Sequence, residues 1–216
     1  MEVRVNATST QVDIGGWLNR TWELFKSNLG LWVVINLIAG LLGILTLGIL
    51  LGPLMVGVCG VILKRMDGQP AQVGDVFQGL NYFVPGLIYA IAWVGLTFLL
   101  VFLLQFTCVL SPLSTLVPAA VGAAVAFAPF LIWEQHMDGI RALRTSYAMA
   151  KPVFLMLAVY VLVLQILSGL GVLACGIGAV VTAPLLPIGL AVAYRQMNAP
   201  TSTWASAETP QPPPVT

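Results

Sequence analysis

Residues 31–63 read LWVVINLIAGLLGILTLGILLGPLMVGVCGVIL, an apolar run without one Asp, Glu, Lys or Arg. As a straight helix it would be about 50 Å long, against roughly 30 Å of bilayer hydrocarbon. The run therefore folds back once. The expected turn lies near Thr46 to Gly52, where Gly48, Gly52 and Pro53 weaken a continuous helix. The segment becomes a hairpin of two spans, 31–47 and 50–65.

The same length test divides the rest of the chain. Phe83 to Thr107 supplies one span, 84–106, and Val117 to Trp133 another, 117–136, with the loop-like CVLSPLSTLVP between them. Pro152 to Tyr194 is again too long for one helix, and ACGIG around Cys175 breaks it into 153–173 and 177–196. The expected fold class is all-α: a polytopic membrane helical bundle of six transmembrane helices arranged as three hairpins. A polar N-terminal segment, 1–12, precedes the six-helix membrane domain, 13–199. A Pro-rich tail, 200–216, is expected to be disordered, either as a solvated tail or as a ligand for a Pro-binding domain.

Composition agrees with a bilayer setting. The 216 residues are 59% hydrophobic and 8% charged, and the mean hydropathy is +0.96. A soluble surface normally carries about a quarter charged residues. The net charge of +1 is too small and scattered to suit nucleic acid as a partner. Residues 1–16 lack a short apolar core with a cleavage site, so the first span is expected to act as an uncleaved targeting signal.

Six spans put every charge on one side. The turns within the three hairpins contain no ionisable residue, and the charges fall in the termini and in the connections 64–82 and 134–151. Lys64, Arg65, Arg141, Arg144, Lys151 and Arg195 make that side cytoplasmic by the positive-inside rule. The expected location is the bacterial cytoplasmic membrane, with both termini inside.

The second helix of each hairpin ends in a related phrase: RMDG at 65–68, HMDG at 136–139 and QMNA at 196–199. Each hairpin is also preceded by a stretch with apolar residues at helical spacing. Ile14, Leu18, Trp22, Phe25 and Leu29 make the first stripe; Val73, Phe77, Leu80, Val84 and Leu87 the second; Ile140, Leu143, Tyr147, Ala150 and Phe154 the third. The pattern predicts three copies of an amphipathic interfacial helix followed by a transmembrane hairpin.

GWLNRTWELFKSNLGLW at 16–32, GPLMVG at 52–57, GDVFQGLNYF at 74–83 and IRALRTSYAM at 140–149 together resemble a broad set of uncharacterised bacterial multi-pass membrane proteins. That set is similar to the membrane domain fused to some glycerophosphodiester phosphodiesterases. The resemblance implies a helical membrane domain without an assigned reaction, and the soluble phosphodiesterase activity is not carried over.

Polar side chains offer few chemical sites. Glu134, His136 and Asp138 alternate at i, i+2, i+4, so on a helix they cannot converge on one metal ion. His136 is the single histidine, which removes paired-histidine sites. The stretch EQHMDGIRALRTS, 134–146, reads as a boundary, with Asp138-Gly139 capping the next helix and Asp67-Gly68 closing the second span. Arg141, Arg144 and Lys151, with Lys64 and Arg65, are the candidate contacts for an anionic lipid headgroup or a partner. Positive-inside anchoring accounts for the same five residues, and Glu134 or Asp138 are candidate ion-pair partners for them.

At membrane depth the spans hold no Asp, Glu, Lys, Arg or His, unlike those of ion-coupled transporters. Asn36 and Gln165 are expected to bond between helices, and the small residues of AAVGAAVAFA, 119–128, place span 4 at the bundle centre. Cys59 is expected at mid-membrane; Cys108 and Cys175, near the outer face, either pair or stay free. No cofactor is expected. The functional reading is a non-enzymatic protein that organises lipids, a membrane-protein partner or its own oligomer. The alternative is a carrier or flippase for an apolar or lipid-like substrate.

Overall fold

The computed structural model describes residues 14–106, 116–173 and 177–198; over these the chain is helical, with no strand. The α-helices are α1 (Ile14–Ser27), α2 (Leu29–Leu45), α3 (Leu51–Met66), α4 (Phe83–Phe106) and α5 (Val117–Val125). They continue with α6 (Ala128–Gln135), α7 (Gly139–Ala150), α8 (Phe154–Leu173), α9 (Ile177–Thr182) and α10 (Leu185–Asn198). A 3-10 segment, Val73–Tyr82, leads into α4. The polar segment 1–12, Cys108, Cys175 and the Pro-rich tail lie outside the described residues.

Three helical stretches are long and apolar enough to cross a membrane: Val73–Gln105, Val117–Gln135 and Gly139–Gly169. α1 and α2 pass the same test as a pair bent by 87°. α3 has 16 residues and α10 has 14, about 24 and 21 Å, so neither matches the hydrocarbon thickness alone. Membrane association therefore rests on three or four helices. Their outer faces suit lipid: only 6% of the most apolar α4 window is buried, and Phe98, Phe102, Leu155 and Ile166 are exposed.

The expected first turn forms at residues 46–50. Leu47 and Gly48 both take positive φ, +52° and +87°, so the reversal needs a left-handed pair that glycine relieves at its second position. The Thr46 hydroxyl donates to the Leu42 carbonyl at 2.7 Å, and the Gly48 amide donates to Gly43 at 2.7 Å. Pro53 falls in the first turn of α3, where its missing N–H costs no helical bond.

Span 4 is broken between α5 and α6. Pro129 cannot donate to Val125, so the helix interrupts there. Ser146 of α7 fills the gap: its hydroxyl accepts from the Phe127 amide and donates to the Ala124 carbonyl, both at 3.1 Å. An unpaired backbone group in a dry interior is costly, so the break and the serine belong together.

Packing runs in one cyclic pattern. α1 lies on α10, the 3-10 segment lies on α3, and α7 lies on α5 and α6. α3 contacts both α6 and α10. Most of α3 and α10 is buried, together with 61% of the α5–α6 window. The centre is thus shared by α3, α5–α6 and α10, as the small residues of 119–128 anticipate for one of them. Asn36 donates to Trp32 of its own helix at 3.1 Å rather than to a neighbour.

Each amphipathic segment seats one small residue in that centre. A Cβ on Gly79 would collide with the Pro53 carbonyl and Gly57, and one on Gly57 would collide with the Val76 carbonyl. Ser146 occupies the α5–α6 break. Thr21 bonds to the Tyr160 hydroxyl at 3.0 Å, which in turn donates to the Gly189 carbonyl at 3.2 Å. In lipid, helices gain little from apolar burial alone, and close approach with shared hydrogen bonds decides which pairs form.

The buried faces share some residues with the three apolar stripes and leave others exposed. In α1 the buried face holds Trp17, Thr21 and Phe25, while Trp22 and Leu29 are exposed. In α7 it holds Ala142, Ser146, Met149 and Ala150, while Ile140 and Tyr147 face outward. The second segment is 3-10, with three residues per turn, so Val76 and Gly79 are buried and Phe77 and Leu80 are not. The terminal phrases also diverge. Asp67 and Gly68 close α3 in a Schellman pattern, with Gly68 and Gln69 amides donating to Arg65 and Lys64 carbonyls. In the second phrase the helix has already ended at Gln135, and Gly139 opens α7 against Pro85 and Ile88.

Two substitutions test the seats. Ser146→Ala leaves the Phe127 amide without its partner and is expected to lower stability by about 1–3 kcal/mol in reversible unfolding from mixed micelles. Gly57→Val, which must displace the Val76 backbone, is expected to cost at least as much as a typical overpacking change, about 1–3 kcal/mol, in the same measurement.

Candidate functional site

Several charged residues meet at the ends of the three central helices. Arg195, in the last turn of α10, donates through one guanidinium nitrogen to Asp67 at 2.6 Å and through another to Glu134 at 2.7 Å. Asp67 caps α3, and Glu134 lies in the last turn of α6. One arginine therefore ties the ends of α3, α6 and α10 together, which puts all three at the same end of the molecule. Tyr194 donates to the other Glu134 oxygen at 2.7 Å, and its ring stacks on Phe130 at 5.2 Å.

Lys64 is held more loosely. It lies 3.4 Å from Asp75 and 3.3 Å from the side-chain Oε1 of Gln78, with its ammonium 5.7 Å from the Trp133 ring centre. Trp133 can lie there because Gly60 beneath it has no side chain to oppose the ring. Arg65 donates to the Ala71 carbonyl at 3.0 Å, closing the loop after α3. Tyr82 and His136 share a 2.6 Å hydrogen bond through the Nδ1 of the histidine. His136 itself takes the left-handed conformation, φ +50°, at the end of α6.

Between these groups lies a pocket of about 360 Å³. Lys64, Asp67 and Gln69 line it from the end of α3, with Gln78, Asn81 and Tyr82 from the 3-10 segment. Leu63 and Trp133 give it an apolar wall, and Glu134, His136 and Arg195 complete it.

The five candidate contacts part company here. Lys64 and Arg65 serve internal contacts at the pocket and loop. Arg141, Arg144 and Lys151 are exposed on and after α7, and none makes an ion pair or hydrogen bond with another described residue. Glu134 is taken by Arg195 and Tyr194, and Asp138 forms no ion pair, so neither is the α7 cations' partner. Among the described residues no three His, Cys, Asp or Glu side chains come together as a metal site.

Arg195 was legible only as a charge on one side, and Asp67 as part of the close of the second span. A stronger signal lies at the terminal phrases: an acid in the first, Asp67, an acid just before the second, Glu134, and a base just before the third, Arg195. Opposite charges at equivalent ends of neighbouring helices are positioned to pair. Comparison with protein families, curated proteins and solved structures finds no match to this chain.

The Arg195 bridges are part-exposed, so each is worth about 1 kcal/mol or less. Arg195→Ala is expected to lower stability by about 1–2 kcal/mol, and Asp67→Ala to cost clearly less in that background than in the native chain. A double-mutant cycle read by reversible unfolding measures the coupling.

Proposed function

We propose that this chain is a non-enzymatic integral membrane protein that organises anionic lipid through the exposed face of α7. The observation that carries this reading is the division of the cations. Those at the centre are consumed by internal contacts, whereas Arg141, Arg144 and Lys151 are exposed and unpaired beside exposed Ile140 and Tyr147. Cations interleaved with apolar and aromatic side chains suit the boundary between headgroups and acyl chains. Exposed Leu155, Met156 and Val159 continue the apolar surface into α8.

Several features support a six-span arrangement of three hairpins with the charged end in the cytoplasm of a bacterial inner membrane. The cyclic packing repeats one relation three times, each amphipathic segment docking on the central helix of another unit. The apolar turn at 46–50 adds length to α3, and the joined ends of α3, α6 and α10 collect charge on one side, which the positive-inside rule makes cytoplasmic. The resemblance carried by GDVFQGLNYF and IRALRTSYAM fits the same picture of a membrane domain without a reaction of its own.

The carrier reading gains less support, because the centre is filled. Phe127, Phe130, Leu131, Ile132, Ile188 and Val61 are all fully buried there.

Native mass spectrometry from nanodiscs of mixed anionic and zwitterionic phospholipid tests the proposal. Anionic phospholipid is expected to be retained at fixed stoichiometry on the native protein, and Arg141→Ala/Arg144→Ala to weaken that retention about tenfold or more, as expected for two charge-assisted contacts. Retention unchanged in the double variant would leave these cations as topological anchors.

A further inference from the structure

The pocket at the joined helix ends has a charge pattern of its own. Its walls carry two cations, Lys64 and Arg195, and two carboxylates, Asp67 and Glu134. A site for a simple anion or a simple cation would carry an excess of one sign; this one is balanced and presents both.

The four charges are not equally committed. Arg195 and Glu134 are locked by a contact of 2.7 Å, with Tyr194 adding a second to Glu134. Lys64 is held only at 3.3 and 3.4 Å, longer than a good charge-assisted bond, so its ammonium can turn to a ligand at small cost. Asp67 has the most exposed side chain of the ion-paired carboxylates, at 43%, and only one of its oxygens is engaged by Arg195. Gln69 and Asn81 also line the pocket, and neither side chain has a hydrogen-bond partner among the described residues. A recruitable cation, a half-free carboxylate and two idle amides thus share one concavity of about 360 Å³, within the range of small-molecule sites.

We propose that this pocket binds a small zwitterion bearing an ammonium and a phosphate, the chemistry of an ethanolamine phosphate group. The phosphate meets Lys64 with the Asn81 amide, the ammonium meets Asp67, and Trp133 and Tyr82 cover the carbon link. Arg195 holds the walls in place. The same group is found free in solution or as a lipid headgroup, and the pocket opens where the membrane helices end. This site is separate from the α7 face and stands whether or not that face holds anionic lipid.

Isothermal titration of the purified full chain with O-phosphoethanolamine, inorganic phosphate and ethanolamine tests the free form. Native mass spectrometry from nanodiscs containing ethanolamine and glycerol phospholipids tests the headgroup. Saturable binding of O-phosphoethanolamine, about tenfold or more tighter than either half alone, supports a soluble ligand. Selective retention of ethanolamine phospholipid supports a lipid one. In either case Lys64→Ala is expected to weaken binding about tenfold, and Asn81→Ala, which removes no internal bond, to weaken it while leaving the thermal unfolding midpoint unchanged. Arg141→Ala/Arg144→Ala is expected to have no effect on it. The proposal is overturned if neither form binds the folded native protein, if phosphate or ethanolamine alone binds as well as the zwitterion, or if Asn81→Ala and Lys64→Ala bind like the native chain.

Discussion

Everything in this molecule depends on how closely backbones approach at three small residues. Gly79 against Gly57 and Pro53, Ser146 in the α5–α6 break, and Thr21 beneath Tyr160 each let an amphipathic segment press into a central helix. Lipid competes with apolar side chains on equal terms, so contacts between helices must come from fit and from hydrogen bonds that lipid cannot offer. These seats choose which helices are enclosed. α3, α5–α6 and α10 become the interior, and α4 and much of α8 are left to face acyl chains.

Enclosing those three helices also brings their ends together. Once Asp67, Glu134 and Arg195 converge, their charges pair, and the loops after α3 and α6 gather around them. The chain has few charges, and the joined ends use several internally. Those left on α7 therefore stand out by contrast rather than by number. Two surfaces of different character result: a balanced pocket at the joined helix ends and an unpaired basic face on α7.

The reversal at 46–50 was legible because length and glycine both demanded it: a run of about 50 Å cannot remain straight across roughly 30 Å of hydrocarbon. The collection of charge at one end was legible for the same reason, since each connection that carries charge follows a central helix. The seats of the amphipathic segments were not legible. A 3.6-residue period finds apolar stripes that suit interfacial helices, Phe77, Leu80, Ile140 and Tyr147 among them, but it does not say which small residue enters a close contact with a neighbouring helix. Gly79 and Ser146 sit at the closest contacts, while Trp17, Phe25, Val76 and Met149 are buried on the inward faces of the same segments. The 3-10 geometry of Val73–Tyr82 shifted the period itself. The repeated MDG phrase does two jobs, as expected: similar letters close a helix at Gly68 and open one at Gly139.

The serine that repairs span 4 has a bearing on the order of synthesis. Ala124 and Phe127 leave the ribosome well before Ser146, so the broken segment is made about twenty residues before the hydroxyl that satisfies it. Until α7 folds back along α6, the Phe127 amide needs another partner, and hydrocarbon has none to give. The break in α5–α6 is therefore satisfied within the protein only once α7 is in place, so the two segments depend on each other.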